Sequence, residues 1–441
     1  MNNRKILPLS VILSFALSSS AAFASAFQSF EQNASDLGDA YSGIAATADD
    51  ASTEFSNPAG LTRIKHPEVA VSTVLVDASS DFTATGATSQ GNNILNTAAS
   101  VKDEPLGLNP LPAFHYATPI TDRLFFGFGL TVPFGLSTDY DKDNAARYFA
   151  TRSKLMTLNI GPSLAWKIIE PLSIGAGFDV QYLKANLDQQ VDVGGLLDPL
   201  TPGTSRNMDA TIKNTADDWG VGYHLGLLYQ ITQKTRMGFL FRSPVHYRLE
   251  GKSKVTYYNT SSGDEDTLEA QGLRNSNIDA NMSLPAYAVL SLVHDFNREW
   301  AAMSSVSYTR WSRFQDLTLR FHSNAPPVTI KENFHNTLRY ALGANYRLND
   351  RWLFRFGTAY DNSPTNNHWR TVRLPDADRI WWSLGLQYKP MKQLAVDVGY
   401  SYIYIKNGNI YQSEPNSTTL SGYYDNNYAN LFGLQLNWTF I

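Results

Sequence analysis

The chain contains no cysteine. This absence excludes disulfide scaffolds, thiolate metal sites and cysteine nucleophiles, and it removes the usual compositional clue to the redox compartment. Charge is also sparse, because Asp, Glu, Lys and Arg make up 17% of the residues and the net charge is −4. A protein that binds nucleic acid normally presents a basic face, so no nucleic-acid partner is expected.

Catalytic motifs are absent as well. The sequence has no G-x-S-x-G element, no H-E-x-x-H element and no glycine-rich phosphate loop, and its eight histidines are scattered. No serine and histidine are placed to face each other in a predicted wall. Acidic clusters at 139–141 and 264–266 are interpreted as solvated loop faces. We therefore predict that the protein is not an enzyme and that it holds no metal or cofactor.

Long hydrophobic runs are missing after the N-terminus, so no transmembrane helix of about 20 apolar residues is expected. The N-terminus itself has two basic residues, an apolar run over 6–17 and small residues that end at Ala24. This pattern predicts a signal peptide over 1–24 and a mature chain that begins at Ser25. An uncleaved anchor helix is disfavoured because the run is short. An exported chain without spanning helices can still cross a membrane as a closed β-barrel, which pairs every backbone group.

The stretch 124–136 shows the pattern expected of a strand in such a barrel. Its even positions are large and apolar, whereas its odd positions are mostly glycine, threonine and proline. A period of two predicts a strand with one face in lipid and a small, uncharged face towards a lumen. Phe125 falls on the small face and Phe134 on the lipid face. Pro133 has no N–H for a neighbouring strand, so we expect the pairing to break near Pro133 and Gly135.

Similar alternating runs fill the chain after its first 65 residues. We count about fourteen, an even number as in bacterial single-chain barrels. Among them, the fifth covers 172 to about 188, the sixth begins at Trp219 and the ninth covers 300 to about 321. Short connections recur after every second run, and long ones such as 139–153 and 185–218 fill the other places. The predicted fold is an all-β transmembrane barrel of about 14 antiparallel strands, with short periplasmic turns and both termini periplasmic.

Residues 25–65 do not alternate, so we predict a compact, partly helical element before a barrel that covers 66–441. Aromatic residues make up 12% of the chain, which suits the interfacial girdles of such a barrel. A secreted β-sandwich is the alternative. It is disfavoured because the strand faces opposite the apolar ones carry Arg, Asn, Gln and Gly, the reverse of a packed core.

Three arginines fall on lumen faces of predicted strands. Arg339 and Arg379 begin strands that descend from the outer side, so both are expected in the upper lumen, and Arg355 is expected lower. A guanidinium in a partly dry lumen favours a carboxylate partner. That partner is either a ligand or an internal Asp or Glu, and the sequence leaves both open. The segment 375–379 is likewise either a turn with an internal ion pair or a site that meets an anion.

Several short stretches resemble a known family. In the first part of the mature chain these are Phe27-Gln28, Ala40-Tyr41-Ser42-Gly43, Ala48-Asp49-Asp50-Ala51 and Asn57-Pro58-Ala59. They resemble the N-terminal hatch of the long-chain fatty acid transporters of Gram-negative outer membranes, the FadL family. The likeness continues through 133–138, 311–314, 361–364 and 374–379, and so spans essentially the whole mature chain. One departure is that members usually end on an aromatic residue, whereas Ile441 follows Phe440 here.

The resemblance implies a fourteen-stranded barrel plugged by a small hatch. It also implies that hydrophobic ligand is captured between the long outer loops 139–153 and 185–218, bound in the lumen and released sideways through a kink in the third strand. By motif position, Phe27 would touch ligand and Asn57, Pro58 and Ala59 would anchor the hatch. The kink residues are Pro133, Phe134 and Gly135. We add Phe125, Arg339 and Arg379 as candidate ligand contacts because their faces point to the lumen.

The predicted function is passive transport of long-chain fatty acids or similar hydrophobic molecules across the outer membrane. Uptake of aromatic or aliphatic hydrocarbons is the alternative within this class. An enzyme that acts on lipids and a general diffusion pore are alternatives from other classes. The expected partners are the hydrophobic ligand, outer-membrane lipid and lipopolysaccharide, and the barrel-assembly machinery, with the protein itself a monomer.

Overall fold

A computed structural model describes residues 26–95, 100–198, 208–415 and 417–441. The predicted signal peptide over 1–24 and the predicted cleavage site lie outside these residues. None of the helices in these residues has the length and hydrophobicity of a membrane-spanning helix.

Strand segments dominate the described chain. In order they are β1 Glu68–Ser89, β2 Asn92–Asn93, β3 Lys102–Asp103, β4 Leu108–Pro119, β5 Leu124–Thr131, β6 Gly135–Asp139, β7 Arg152–Ile169, β8 Leu172–Asp192, β9 Asp209–Thr232, β10 Thr235–Arg242, β11 Val245–Tyr257, β12 Ser276–Leu284, β13 Tyr287–Asp295, β14 Trp300–Thr309, β15 Asp316–Phe321, β16 Val328–Lys331, β17 Thr337–Arg347, β18 Trp352–Asp361, β19 Arg379–Met391, β20 Leu394–Ile405, β21 Gly408–Glu414 and β22 Thr418–Thr439. Helices are few and short: α1 Thr53–Ser56, α2 Val193–Leu197 and α3 Ser262–Ala270, with 3-10 turns at Asp36–Asp39, Pro58–Arg63 and Trp311–Arg313.

These segments combine into fourteen antiparallel strands that close into a barrel. Segments β5 and β6 form the third strand, β10 and β11 the seventh, and β12 and β13 the eighth. The barrel closes where β1 pairs with β22, from Glu68 opposite Thr439 to Thr88 opposite Thr419. The predicted fold class is confirmed, because a closed ladder is the solution that leaves no backbone edge in lipid.

The alternation of faces follows the prediction over most of the wall. In β9, Trp219, Val221 and Tyr223 are exposed, whereas the intervening glycines and His224 are buried. Stacked aromatic pairs mark the wall, such as Trp352 against Tyr388 with ring centroids 4.3 Å apart. Such outward aromatic residues are typical of barrel strands that end at a membrane interface.

Two predicted strand boundaries were wrong. The connection predicted over 185–218 is mostly a hairpin, because β8 runs to Asp192 and β9 begins at Asp209, with ladder pairs from Ala185 opposite Ala216 outwards. The ninth strand is not one run, since the 3-10 turn Trp311–Arg313 separates β14 from β15. In both cases apolar side chains of the outer segments pack on one another above the lumen, a long-range contact that periodicity does not report.

The third strand carries the predicted break. Segment β5 pairs with β4 and β7, but β6 pairs only with β7 among the described residues, so the upper part of β4 has no neighbour on that side. The apolar positions of β5 are half-exposed, as predicted. The prediction for the rest of the stretch was wrong: Val132, Phe134 and Leu136 are buried rather than in lipid, because the chain turns inward where the ladder stops.

Residues 26–64 fill the lumen and are almost entirely buried. The wall approaches them closely where it carries glycine. A Cβ added to Gly385 would lie 2.7 Å from the Cα of Gly38, and one added to Gly357 would lie 2.6 Å from the backbone nitrogen of Ala40. Only glycine allows two backbones to come this near, so these positions fit the wall to the hatch.

Candidate ligand cavity and wall break

The N-terminal segment of the hatch occupies the place of the missing strand. The nitrogen of Ser29 donates to the oxygen of Pro133 at 2.8 Å, and the nitrogen of Gly135 donates to the oxygen of Phe27 at 2.8 Å. Between these bonds, Gln28 and Phe134 form an isolated antiparallel bridge. The backbone groups that the break removes from the wall are therefore paired inside the lumen, as buried backbone groups require.

Phe27 lies in an aromatic cluster at this break. Its ring meets Trp311 edge-on with centroids 4.7 Å apart, and it lies 5.5 Å from Phe314 and 6.2 Å from Phe134. Phe334 completes the cluster against Trp311 at 5.7 Å. The 3-10 turn that splits the ninth strand is what carries Trp311 into the lumen, so the two wall irregularities meet at Phe27.

A cavity lies next to Phe27, and we call it the Phe27 cavity. Its lining is Phe27, Leu136, Ser153, Lys154, Leu155, Ala185, Leu187, Met282, Phe314, Leu317, Ile330, Glu332, Arg373 and Leu374. A second apolar cavity shares Ala185, Leu187 and Leu317 with it and extends to Asp279 on β12. The Phe27 cavity measures about 50 Å³, far below the roughly 300–1,000 Å³ of a small-molecule site, so its side chains must move to admit a ligand of that size.

Two charged residues from the outer connections border the Phe27 cavity. Arg373 donates from Nη2 to Oε1 of Gln189 at 2.7 Å and from Nη1 to Oγ of Ser153 at 3.1 Å. Burial lowers the pKa of Arg373 to about 10 and raises the pKa of Glu332 to about 8. Burial therefore favours the neutral form of Glu332, and the hydrogen bonds of Arg373 go to neutral groups, Gln189 and Ser153 among them. The sequence prediction missed both residues, although Arg373 directly precedes the 374–379 element that carries the resemblance.

Arg339 and Arg379 are buried in the lumen as predicted, but neither lines the Phe27 cavity. Arg379 forms an ion pair with Asp376, whose other oxygen accepts a hydrogen bond from the Ala26 nitrogen at 2.9 Å. Arg339 donates to the oxygen of Ala40 at 2.9 Å and stacks over Phe30. These two arginines thus hold the hatch, and their contact with ligand stays a prediction.

Arg355, the third luminal arginine, pairs with a carboxylate of the protein itself. Its Nη1 lies 2.6 Å from Oδ1 of Asp397, and both side chains are buried. Arg355 faces Asn345 across the ladder with β17, nearer the short turn than Arg339, as the predicted lower position requires. A buried ion pair of this kind is held by its neighbours, because removing one partner leaves an uncompensated charge.

Phe125 lies apart from the other candidate contacts. It packs in a cluster with Ala51, Leu61 and Ile64 of the hatch. The same side chain borders a recess of about 950 Å³ at the short-turn end of the barrel, together with Arg63 and other residues. Phe125 and Phe27 are therefore on different sides of the hatch.

The predicted anchor residues lie against the wall. Asn57 donates from Nδ2 to the oxygen of Ala45 at 2.6 Å and to the oxygen of Leu227 at 3.0 Å, and its Oδ1 caps the following 3-10 turn by accepting from the Ala59 nitrogen. A Cβ on Gly175 of β8 would lie 2.5 Å from the carbonyl carbon of Pro58. These contacts join the hatch to the wall, and the role of the three residues as an anchor stays a prediction.

One expectation about side chains in the wall was wrong. Ser163 and His224 do face each other, with Oγ 2.8 Å from Nε2, and Nδ1 of His224 lies 3.0 Å from Asp179. The order Ser, His, Asp matches a hydrolytic triad. However, Arg242 forms an ion pair with the same Asp179, and none of the described cavities is lined by Ser163 or His224. This chain of hydrogen bonds ties four strands together.

Comparison with known proteins agrees with the geometry. Residues 15–440 match the family model described as outer membrane protein transport protein (OMPP1/FadL/TodX). A long-chain fatty acid transport protein of Escherichia coli O6:H1 is 30% identical over 96% of this chain and 96% of its own. A solved Pseudomonas aeruginosa FadL homologue has a TM-score of 0.86 and 26% identity, covering 94% of this chain and all of that one. The Pseudomonas putida toluene transporter TodX, at 17% identity and a TM-score of 0.69, shares the fold over 94% of this chain and all of its own.

Proposed function

This chain belongs to the OMPP1/FadL/TodX family of outer membrane transport proteins, and from that premise we propose that it carries long-chain fatty acids across the outer membrane. Members of the family are transport channels rather than enzymes, and the barrel lies in the outer membrane. The finer assignment, to fatty acids, draws on the E. coli relative and on one observation, the Phe27 cavity. That cavity joins an apolar lining to the buried cation of Arg373.

An amphiphile with one negative end suits such a lining. Burying each CH₂ of an acyl chain stabilises the complex by about 0.8 kcal/mol, so a long chain binds without an energy source. The carboxylate needs a partner in the same cavity, and Arg373 supplies a charged fork of donors that bonds to neutral groups of the protein. We assign Arg373 the head group and Phe27 the chain.

Replacing Arg373 with methionine should separate the two candidate ligand classes. The change keeps an unbranched, flexible stem but removes the charge-assisted hydrogen bonds, which contribute about 1.5–3 kcal/mol, so oleate binding should weaken about tenfold or more. Binding of a neutral alkane of similar length should change little. Both affinities are measured on purified protein by calorimetry or by displacement of a fluorescent fatty acid.

The control is Arg313→Met, which removes an exposed arginine beside Phe314 from outside the cavity. It should leave both affinities unchanged. Equal binding of oleate and alkane by wild type, with no effect of Arg373→Met on either, would overturn the carboxylate assignment. That result would favour the hydrocarbon alternative, for which the toluene transporter TodX offers a parallel in fold.

Lateral release is the proposed exit step. Two features support it: the ladder between β4 and β6 is absent, and residues of the hatch, the segment 27–29 among them, cover the break from inside. Tight binding alone would trap the ligand, so the hatch segment must move before ligand leaves. Ligand would then pass between the two strands into the membrane.

The double variant Pro133→Val with Gly135→Val tests this exit. It returns an N–H and β-branched side chains to the third strand, so pairing with β4 becomes possible and the gap narrows. Uptake of labelled oleate by cells should fall several-fold while the folded protein stays abundant in the outer membrane. Undiminished uptake would mean that the exit lies elsewhere.

Capture of ligand at the outer surface is proposed to involve the outer connections. Residues of 139–151 fold inward and are largely buried, and Ala185 and Leu187 of the β8–β9 hairpin line the Phe27 cavity. Both predicted loops therefore border the route from outside. Contact with outer-membrane lipid and lipopolysaccharide, assembly by the barrel-assembly machinery and a monomeric state remain our predictions.

A further inference from the structure

The side chain of Gln32 occupies the point where the third strand loses its neighbour. Its Oε1 accepts a hydrogen bond from the nitrogen of Val132 at 2.8 Å, and its Nε2 donates to the oxygen of Val132 at 2.8 Å. An antiparallel neighbour makes this same pair of bonds to a facing residue. One amide side chain of the hatch thus replaces a residue of the missing strand.

Gln32 is itself held from behind by the wall. Nε2 of His115, on β4, lies 2.8 Å from the backbone oxygen of Gln32, and Nδ1 of His115 lies 2.8 Å from Oε1 of Glu54 on α1. All three residues are buried. The chain from Glu54 through His115 to Gln32 therefore joins both strands at the break to the hatch.

The third strand is shaped to receive Glu54. A Cβ on Gly127 would lie 2.7 Å from the Cβ of Glu54, and one on Gly129 would lie 2.6 Å from its carboxyl carbon. The glycines that first suggested a small lumen face thus leave space for one carboxyl group. A buried carboxyl group needs a partner, and His115 of the wall supplies it for Glu54.

The two contacts of His115 require one proton beyond the neutral ring with an ionised Glu54. The oxygen of Gln32 only accepts, so Nε2 must carry a hydrogen, and Nδ1 then faces Glu54. Either Nδ1 or the carboxyl group must hold a second hydrogen. If it is lost, a lone pair faces a carboxylate and the chain is broken. The other charged groups nearby are Asp50 of the hatch and Arg242, the latter paired with Asp179.

We propose that Gln32 keeps the lateral exit closed and that His115 and Glu54 hold it in place. Ligand leaves when the side chain of Gln32 withdraws from Val132. This inference rests on the proposed lateral release and names the residues that control it. Gln32 touches no ligand in this scheme and is a positioning residue for the exit.

The test follows loss of a fluorescent fatty acid from the protein in phospholipid vesicles that carry a quencher on their lipids. Gln32→Met keeps the side-chain volume and removes both bonds to Val132, so release should accelerate about tenfold. Equilibrium binding at the Phe27 cavity should stay within a factor of about two, because Gln32 does not line it. The matched control, Gln28→Met, removes a buried amide of the same segment that bonds to Thr309 instead, and should not accelerate release.

The pH dependence of the release rate is a second measurement, and a purely structural role of these residues would not change it. In wild type, release should accelerate as pH rises and the shared proton is lost. Glu54→Gln supplies a permanent N–H to Nδ1, so release should become slow and independent of pH, whereas Glu54→Ala should release fast at every pH. Folding of each variant is checked by the resistance of the barrel to detergent without heating.

Different results would overturn the proposed function and the role of Gln32. A wild-type protein that binds no fatty acid overturns both the proposed function and the role of Gln32. If the wild-type protein binds and releases fatty acid but Gln32→Met releases it at an unchanged rate, only the role of Gln32 is overturned. A pH dependence that persists in Glu54→Gln overturns the role of the His115–Glu54 proton.

Discussion

A disulfide between Gln28→Cys and Phe134→Cys will stop transport of fatty acid, and a reducing agent will restore it. The two residues form an antiparallel bridge flanked by a hydrogen bond on each side, one from the Gly135 nitrogen to the Phe27 oxygen and one from the Ser29 nitrogen to the Pro133 oxygen. Cα atoms in a pair of this kind lie about 4.5 Å apart, within the range a disulfide needs. The bond holds the hatch segment on the break, so the exit cannot open.

The chain favours this experiment because it has no cysteine of its own to form other bridges. Uptake of labelled oleate is measured in cells before and after reduction, and oleate binding is measured on the oxidised protein. Each single cysteine variant serves as a control for the lost side chain, which matters for Phe134 because its ring contacts Phe27. Normal uptake by the fully oxidised double variant would show that the segment does not move during transport.

The barrel itself could be predicted because its signal is local. A period of two over about ten residues distinguishes the faces of a strand without any knowledge of its neighbours. In β9 the alternation of Trp219, Val221 and Tyr223 with glycine is visible in the sequence and correct in the structure. The number of strands follows from counting such runs, and the break at Pro133 follows from the missing N–H.

The ligand cavity could not be predicted in the same way, because its polar residues come from outer connections that fold inward. Arg373 and Glu332 have no alternating pattern around them, and only tertiary packing carries them to Phe27. The luminal arginines of the strands were easier to find, yet Arg379 and Arg355 pair with carboxylates of the protein. Burial of a charge demands a partner, and sequence alone does not say whether that partner is internal.

Registers between strands were equally out of reach. Ser163, His224 and Asp179 lie on β7, β9 and β8, and their contact depends on two ladders aligned to within one residue. A shift by one residue would turn each side chain to the other face. The contact of Gln32 could not be predicted for a related reason, because its partner is the backbone of Val132, one hundred positions away.

Two substitutions in the wall should remove the plug and turn the protein into an open pore. In Gly357→Val with Gly385→Val, the new side chains would collide with the backbone of Ala40 and Gly38, which cannot yield as a flexible side chain would. Overpacking costs about 1–3 kcal/mol at each site. The wall is held by a continuous ladder here, so the hatch is the part that must move. We expect the hatch to be displaced from the lumen.

An emptied barrel of fourteen strands would hold water, as porins of about 16 to 18 strands do. Ion conductance in planar bilayers should therefore rise from near the baseline in wild type to that of a wide channel in the double variant. Gly86→Val is the matched control, since a Cβ there lies 3.7 Å from Ser421 and meets no hatch residue. Wide conductance in wild type, equal to that of the variant, would instead identify a general diffusion pore, because a seated hatch leaves no path for hydrated ions.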